Sequence, residues 1–349
     1  MTPGMRIGIK ANLVSFLPPE RAATTHPVVL QALTELLKEK GADVVIGDSP
    51  GGIYTSPYVN HVYNAAGLSH AAKWGAELNQ DFSQRTANFP EGMAAKQFPY
   101  TAWLDRCDAV INFCKLKSHG MMSLSACAKN LFGIIPGSVK PEFHFKYPNA
   151  LDFARMIVDL NAFLQPRLCL VDGIVGMEGN GPTAGTPKPM GMLLAGENPH
   201  KVDLVCAALL GIPVDCVPTL QAARERALIP ETPEELELSA SLSDYYVKDF
   251  HRVEQASNVE FEAILPKVFG KLVSPLLRRY LASRPAVQKD ICIGCKKCLE
   301  ICPAHAISMK KGVPIIQRKT CIRCFCCQEF CPKGAMQVKR PPLARLLNR

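Results

Sequence analysis

At 349 residues the chain is long enough for two or three domains, and an apolar fraction of 48% supplies a large core. No apolar run approaches the ~18 residues of a membrane span, and no signal-like leader precedes Met5, so a cytoplasmic protein without a transmembrane segment is expected. The formal charge of +9 is unevenly divided: 22 Lys and Arg face 28 acids up to residue 262, and 18 face three acids (Asp290, Glu300, Glu329) beyond it. Such a basic C-terminal part steers acidic partners. A small electron carrier, ferredoxin or flavodoxin, is the natural one; peripheral contact with anionic lipid is open to the same surface, and no nucleic acid is expected.

Residues 5–14 alternate as a buried strand does. A helix is predicted from Pro27 to Lys40, with Val28, Leu30, Leu33, Leu36 and Leu37 at helical spacing and Gly41 past its end. DVVIGDSPGG (43–52) reads as a strand entering a glycine-rich loop. CDAVINF (107–113) reads as a buried strand, LKSHG as a loop, and MMSLSACAKNLFG (121–133) as a helix. RLCLVDGIVG (167–176) and GMLLAG (191–196) read as strands, 199–210 and 217–228 as helices. This alternation predicts an α/β domain over 1–255, with a mostly parallel sheet and helices on both faces. Residues 256–284 read as a basic amphipathic connector, with apolar pairs such as Ile264/Leu265 and Val268/Phe269 every four residues. A small α+β domain follows at 285–340, and a basic tail at 341–349.

Ligands of open α/β sheets bind beyond the carboxyl ends of the strands. Three predicted loops fall there. The first carries Gly47, Asp48, Gly51 and Gly52. The second carries Lys115, Lys117 and His119 and runs into the helix holding Lys129 and Asn130. The third carries Asp172, Glu178, Gly179 and Gly181. The lysines suit a carboxylate or phosphate near a helix N-terminus. His119 is the proposed proton donor, with Lys117 and Lys115 beside it; Asp172, Glu178 and His144 add acid/base or metal-ligating groups. Each has a plainer reading: solvated lysines, a structural histidine, aspartates capping turns. GMEGNGPTAG matches neither G-x-G-x-x-G nor G-x₄-G-K-[ST], so neither a nicotinamide site nor a P-loop is supported. A flavin has no common signature to test and gains no support.

The strongest signal closes the chain. Cys292, Cys295, Cys298 and Cys302, followed by Pro303, repeat as Cys321, Cys324, Cys327 and Cys331, followed by Pro332. The spacing C-x₂-C-x₂-C-x₃-C-P is that of bacterial two-cluster ferredoxins. Structural zinc more often uses two C-x₂-C pairs. Resemblance to those ferredoxins implies two [4Fe–4S] clusters with crossed ligands: Cys292, Cys295, Cys298 and Cys331 for one, Cys321, Cys324, Cys327 and Cys302 for the other. Cys326 reads as a packed small hydrophobe. The six cysteines outside the runs read as buried thiols of a reducing compartment.

DAVINFCKLKSHGMMSLSACAKNLFGIIPG, followed by VDGIVGMEGNGPTAGTP, resembles the uncharacterised family termed domain of unknown function 362, over about residues 5–230. Many of its members carry a C-terminal two-cluster module. The resemblance implies architecture and brings no substrate. The leading functional reading is a ferredoxin-dependent oxidoreductase that reduces a small anionic substrate in the α/β domain. The alternatives are an electron-transfer subunit that docks on a catalytic partner, and a non-redox or sensing iron–sulfur protein.

Overall fold

The computed structural model describes residues 2–253 and 283–339. Residues 256–282 of the predicted connector and the tail at 341–349 lie outside the described residues.

The strands of the larger part are β1 (Arg6–Lys10), β2 (Asp43–Gly47), β3 (Ala76–Leu78), β4 (Gln84–Asn88), β5 (Gln97–Thr101), β6 (Ala109–His119), β7 (Ser123–Ser125), β8 (Leu168–Glu178) and β9 (Thr186–Gly196). Its helices are α1 (Pro27–Glu39), α2 (Ser56–Ala65), α3 (Cys127–Asn130), α4 (Lys140–Lys146), α5 (Ala150–Leu164), α6 (Pro199–Leu209), α7 (Pro218–Glu225) and α8 (Leu242–Tyr245). The central sheet has the order β3-β2-β1-β6-β8-β9. It is parallel except that β9 returns antiparallel on β8 and β7 folds back on β6. β4 and β5 pair apart as a hairpin.

Side-chain alternation sends each strand's apolar residues to two opposite cores. Ile7, Ile9, Val44, Ile46, Ile111 and Phe113 face α1 and α2, where Leu30, Val59 and Tyr63 are buried. Val45 and Val110 face the other way, onto Phe153 and Ile157 of α5. Further along, Cys114, Leu116, Cys169 and Val171 meet Leu204 and Cys206 of α6 and Leu220 of α7. Helices therefore cover both faces, as a sheet buried on both sides requires.

Several sequence expectations give way here. The predicted loop 115–119 is strand, because β6 runs on for eleven residues between β8 and β7. β8 runs past the predicted strand end at 176 to Glu178, so Asp172 and Glu178, assigned to a ligand loop, both lie in a strand that pairs with β9. The helix expected over 121–133 shortens to α3 and a 3₁₀ turn at Leu131–Ile134, since Ser123–Ser125 hydrogen-bonds back onto β6; serine competes with helix through local bonding. The strand expected over 5–14 stops at Lys10, and Leu13 N then donates to Asp48 Oδ2 at 2.7 Å.

The smaller part pairs β10 (Arg284–Val287) with β13 (Met336–Lys339), and β11 (Ile307–Lys310) with β12 (Val313–Ile316), all antiparallel. One-turn helices at Lys297–Glu300 and Cys326–Glu329 complete two matched halves. This module is joined to the α/β part by Gln328, fully buried, whose Nε2 donates to Asn180 O at 3.0 Å and Gly181 O at 2.9 Å. Thr183 Oγ1 donates to Glu329 O at 3.2 Å.

At the end of β2, Gly47 touches no ligand cavity: a Cβ there would lie 2.7 Å from the buried Trp103 ring. Gly47→Ala is expected to destabilise the protein by roughly 1–3 kcal/mol through overpacking. The denaturant midpoint should fall with an unchanged slope and unchanged iron content.

Candidate functional site

Two cavities in the module are each ringed by four cysteines. One is lined by Cys292, Cys295, Cys298 and Cys331, the other by Cys302, Cys321, Cys324 and Cys327, with Cys326 beside them. Residues in the left-handed region curl each loop: Gly294 (φ 67°) and Lys296 (φ 64°) in the first, Arg323 and Phe325 (both φ 60°) in the second. The remaining lining is largely apolar, including Val287, Met309 and Met336 around the first and Pro285, Ile307 and Ile316 around the second. Among the described residues no three Cys, His, Asp or Glu side chains close on one ion. Four cysteines around each cavity supply the thiolate set of a cubane. Ala306 N donates to Cys302 Sγ at 3.3 Å and Ala335 N to Cys331 Sγ at 3.2 Å. Hydrogen bonds to the ligand sulfurs are among the features that tune a cluster.

A third cavity, of about 70 Å³, lies where the module meets the ends of the α/β strands. β1 contributes Lys10, β6 contributes Lys117 and His119, and α3 contributes Lys129 and Asn130. α4 supplies Lys140 and His144, the turn after β2 supplies Asp48, Ser49 and Gly51, and the module supplies Cys326, Glu329 and Phe330. Gly51 admits the module, since a Cβ there would stand 2.6 Å from the Phe330 ring.

A chain of polar contacts fixes the floor. Lys117 Nζ donates to Asn12 Oδ1 at 2.7 Å and Ala23 O at 2.6 Å. Asn12 Nδ2 donates to Asn130 Oδ1 at 2.7 Å, which also accepts from Lys10 Nζ at 3.0 Å. Lys10 Nζ stands 2.8 Å from Asp48 Oδ1. Lys140 Nζ donates to Ser49 O. Lys129 has no hydrogen-bond acceptor among the described residues; its ammonium lies 4.8 Å from the Phe132 ring centroid and 5.8 Å from that of Phe153.

His119 Nδ1 accepts from Met121 N at 3.0 Å and Met122 N at 3.3 Å, which leaves the proton of the neutral ring on Nε2. Nε2 stands 3.0 Å from Glu329 Oε1. Burial lowers His119, with Glu329 opposing, and takes His144 down to about 3. Burial also depresses Lys10 and Lys129, and brings Lys117 and Lys140 to about 7. Burial alone would raise Glu329, but His119, Lys129 and His144 outweigh it and hold the carboxyl well below its usual range. Four lysines thus share the cavity with two carboxylates, an excess of positive charge that an anion relieves.

Of the residues singled out in the sequence, Asp48, Gly51, Lys117, His119, Lys129, Asn130 and His144 line this cavity. The others have different surroundings. Lys115 lies opposite Asp172 across β6 and β8, pairs with it at 2.6 Å and donates to Val175 O, so both are closed within the sheet. Glu178 holds His251 at 2.9 Å and Lys188 at 3.2 Å. Gly179 O accepts from Ser118 Oγ, and Gly181 O from Gln328 and Gly120 N, so that loop holds the module. Gly52 (φ 117°) gives way to Tyr58, whose hydroxyl a Cβ would meet at 2.3 Å. Sequence reasoning missed Lys10, Lys140 and Glu329. A lysine inside the apolar strand RIGIK is the signal for the first; the others depend on tertiary packing.

Residues 7–208 match the family model described as Domain of unknown function (DUF362), and residues 291–335 match one described as 4Fe-4S dicluster domain. The thylakoid-associated protein sll1697 of Synechocystis sp. (strain ATCC 27184 / PCC 6803 / Kazusa) is 31% identical over 240 residues, covering 67% of this chain and 71% of its own. Among solved structures, the lactate racemase apoprotein of Thermoanaerobacterium thermosaccharolyticum is 13% identical with a TM-score of 0.40, over 60% of this chain and 49% of that one. A Thermotoga maritima protein is 16% identical with a TM-score of 0.35, over 56% and 51%. The chain spans about half the length of these two solved chains. Among the described residues no helix is long and apolar enough to cross a membrane.

The crossed cysteine sets have a spectroscopic consequence. Cys331→Ser should alter the same cluster as Cys292→Ser, and Cys302→Ser the same cluster as Cys321→Ser, in paramagnetic resonance spectra of the reduced protein. Pairing within each run instead would contradict the geometry.

Proposed function

We propose, from the premise that the chain belongs to the family described as Domain of unknown function (DUF362) and carries a 4Fe-4S dicluster domain, that it is an iron–sulfur oxidoreductase reducing a small anion in the chamber between its two parts. The observation that carries this reading is the convergence of Lys10, Lys117, Lys129 and Lys140 on a cavity whose wall includes Cys326, which sits between the ligand positions Cys324 and Cys327. Bound clusters supply single electrons at that wall.

The chain's own residues do the rest. Lys129, which has no acceptor among the described residues, and Lys140 hold the anion and replace its hydration. A cavity of about 70 Å³, where ~10–15 Å³ holds one water, suits a molecule of few heavy atoms. With the pKa values of Lys117 and Lys140 at about 7, both ammonium groups can release protons near neutrality, as reduction of an anion requires. His119 acts through Glu329: its Nε2 faces the carboxylate at 3.0 Å in the cavity wall.

An incoming anion raises the pKa of Lys117 and Lys140. Between pH 7 and 8, where both are partly neutral, binding should therefore take up protons, and affinity should fall as pH rises. Titration calorimetry of anaerobically prepared holoprotein with formate, acetate, nitrite and sulfite, in buffers of different ionisation heat, measures this. Lys129→Met should weaken the anion that binds by roughly 10–100-fold, the worth of one charged hydrogen bond. If none of these anions binds or perturbs the paramagnetic spectrum of the reduced protein, the reading fails.

A further inference from the structure

The module builds the same surface twice and uses it once against the α/β part. Aligning the runs places Ile293 with Ile322, Lys296 with Phe325, Lys297 with Cys326, Leu299 with Gln328, Glu300 with Glu329 and Ile301 with Phe330. In the second copy Phe325, Cys326 and Gln328 are buried, and Glu329 and Phe330 reach the anion chamber. In the first copy Cys295, Lys296, Lys297 and Glu300 are exposed. Ile293 is 60% exposed and Ile291 44% exposed. One cysteine cavity therefore abuts the chamber, while its twin opens to solvent on the matching face.

The exposed copy differs from the docked one in charge. Lys296, Lys297 and Lys333 rim the cavity of Cys292, Cys295, Cys298 and Cys331, and Lys289 follows the strand that leads into it. None of these four forms an ion pair among the described residues; Lys297 lies 5.7 Å from the Phe16 ring centroid, at the edge of the α/β part. Asp290 and Glu300 are the acids of this half, and the described module as a whole carries eleven Lys and Arg against three acids. Exposed isoleucines within a lysine rim have the makeup of a transient docking site: an apolar centre for contact, and charges that steer and orient.

We propose that this free face, centred on Ile291 and Ile293 and rimmed by Lys296, Lys297 and Lys333, docks a small acidic one-electron carrier protein beside the outer cysteine cavity. The inference rests on reading the module as an electron relay. It adds a direction: the outer cavity receives, and the inner one faces the substrate. Charge complementarity selects the partner. A second copy of this chain meeting this face with its own would bring lysine against lysine, which disfavours that pairing.

The test uses cluster-loaded full-length protein and an acidic flavodoxin, which contains no iron and reports binding through its flavin fluorescence. Binding to the wild type should weaken steeply as salt rises from about 50 to about 300 mM, because the screening length shortens. Lys297→Glu with Lys333→Glu should weaken it at least tenfold, and the milder Lys297→Gln with Lys333→Gln should weaken it less. Arg318→Glu with Lys319→Glu, exposed outside this rim, should change it less than twofold. Iron content and the visible spectrum certify each variant, and the glutamine pair carries the test should the charge reversal impair cluster loading. Absence of binding to the wild type, equal losses at the Lys297/Lys333 and Arg318/Lys319 pairs, or preferential binding of phosphatidylcholine–phosphatidylglycerol vesicles to the same rim would each overturn the proposal. Anion binding in the chamber, measured on the same variants, should be unchanged, so the two readings fail separately.

Discussion

A carboxylate from one part of the molecule is buried in a nest of cations built by the other. Glu329 of the module meets His119 at the end of β6, within reach of the field of Lys129. Taking such charges out of water costs several kcal/mol, and their mutual pairing in the docked arrangement offsets part of that cost. The pairing explains why the module sits where it does: Gln328 and Thr183 satisfy the surrounding backbone, and Gly51 leaves room for Phe330. The chamber, the inner cysteine cavity and the contrast between the two halves of the repeat all follow from that contact. Its charge count also leaves the cavity cationic after docking, which is what makes it an anion site rather than a closed salt-bridge cluster.

Much of this was legible in the sequence because its patterns are local. Cysteine spacing encodes loop curvature, and the left-handed residues at Gly294, Lys296, Arg323 and Phe325 are its structural counterpart. Strand alternation likewise marks which residues turn to which core. What escaped depends on register and long-range contact. Lys115 and Lys117 are indistinguishable by spacing, yet β8 sets Asp172 opposite the first, while the second reaches Asn12 at the end of β1. Glu178 and Glu329 are both acids near functional motifs; only the second is carried into the chamber, by a fold contact spanning more than 200 residues of chain.

The glycine-rich stretches show the same division. Read as ligand loops, they proved mainly to be places where large side chains or backbone approach closely: Trp103 at Gly47, Tyr58 at Gly52, and Ser118 at Gly181, where a Cβ would meet the serine carbonyl oxygen at 2.1 Å. Missing side chains make room for protein as readily as for substrate.

The sheet's outer border has a consequence for solubility. β9 is an eleven-residue edge strand, long enough to recruit a strand from another molecule and seed aggregation. Its first half carries Pro187, Lys188 and Pro189, and Gly191 (φ 67°) breaks the regular pleat behind them. Imino acids offer no N–H to an intruding strand, and the ammonium of Lys188 resists burial between sheets. The border is thus guarded over half its length, and strand addition is confined to the segment around Leu193, too short to template a sheet by itself.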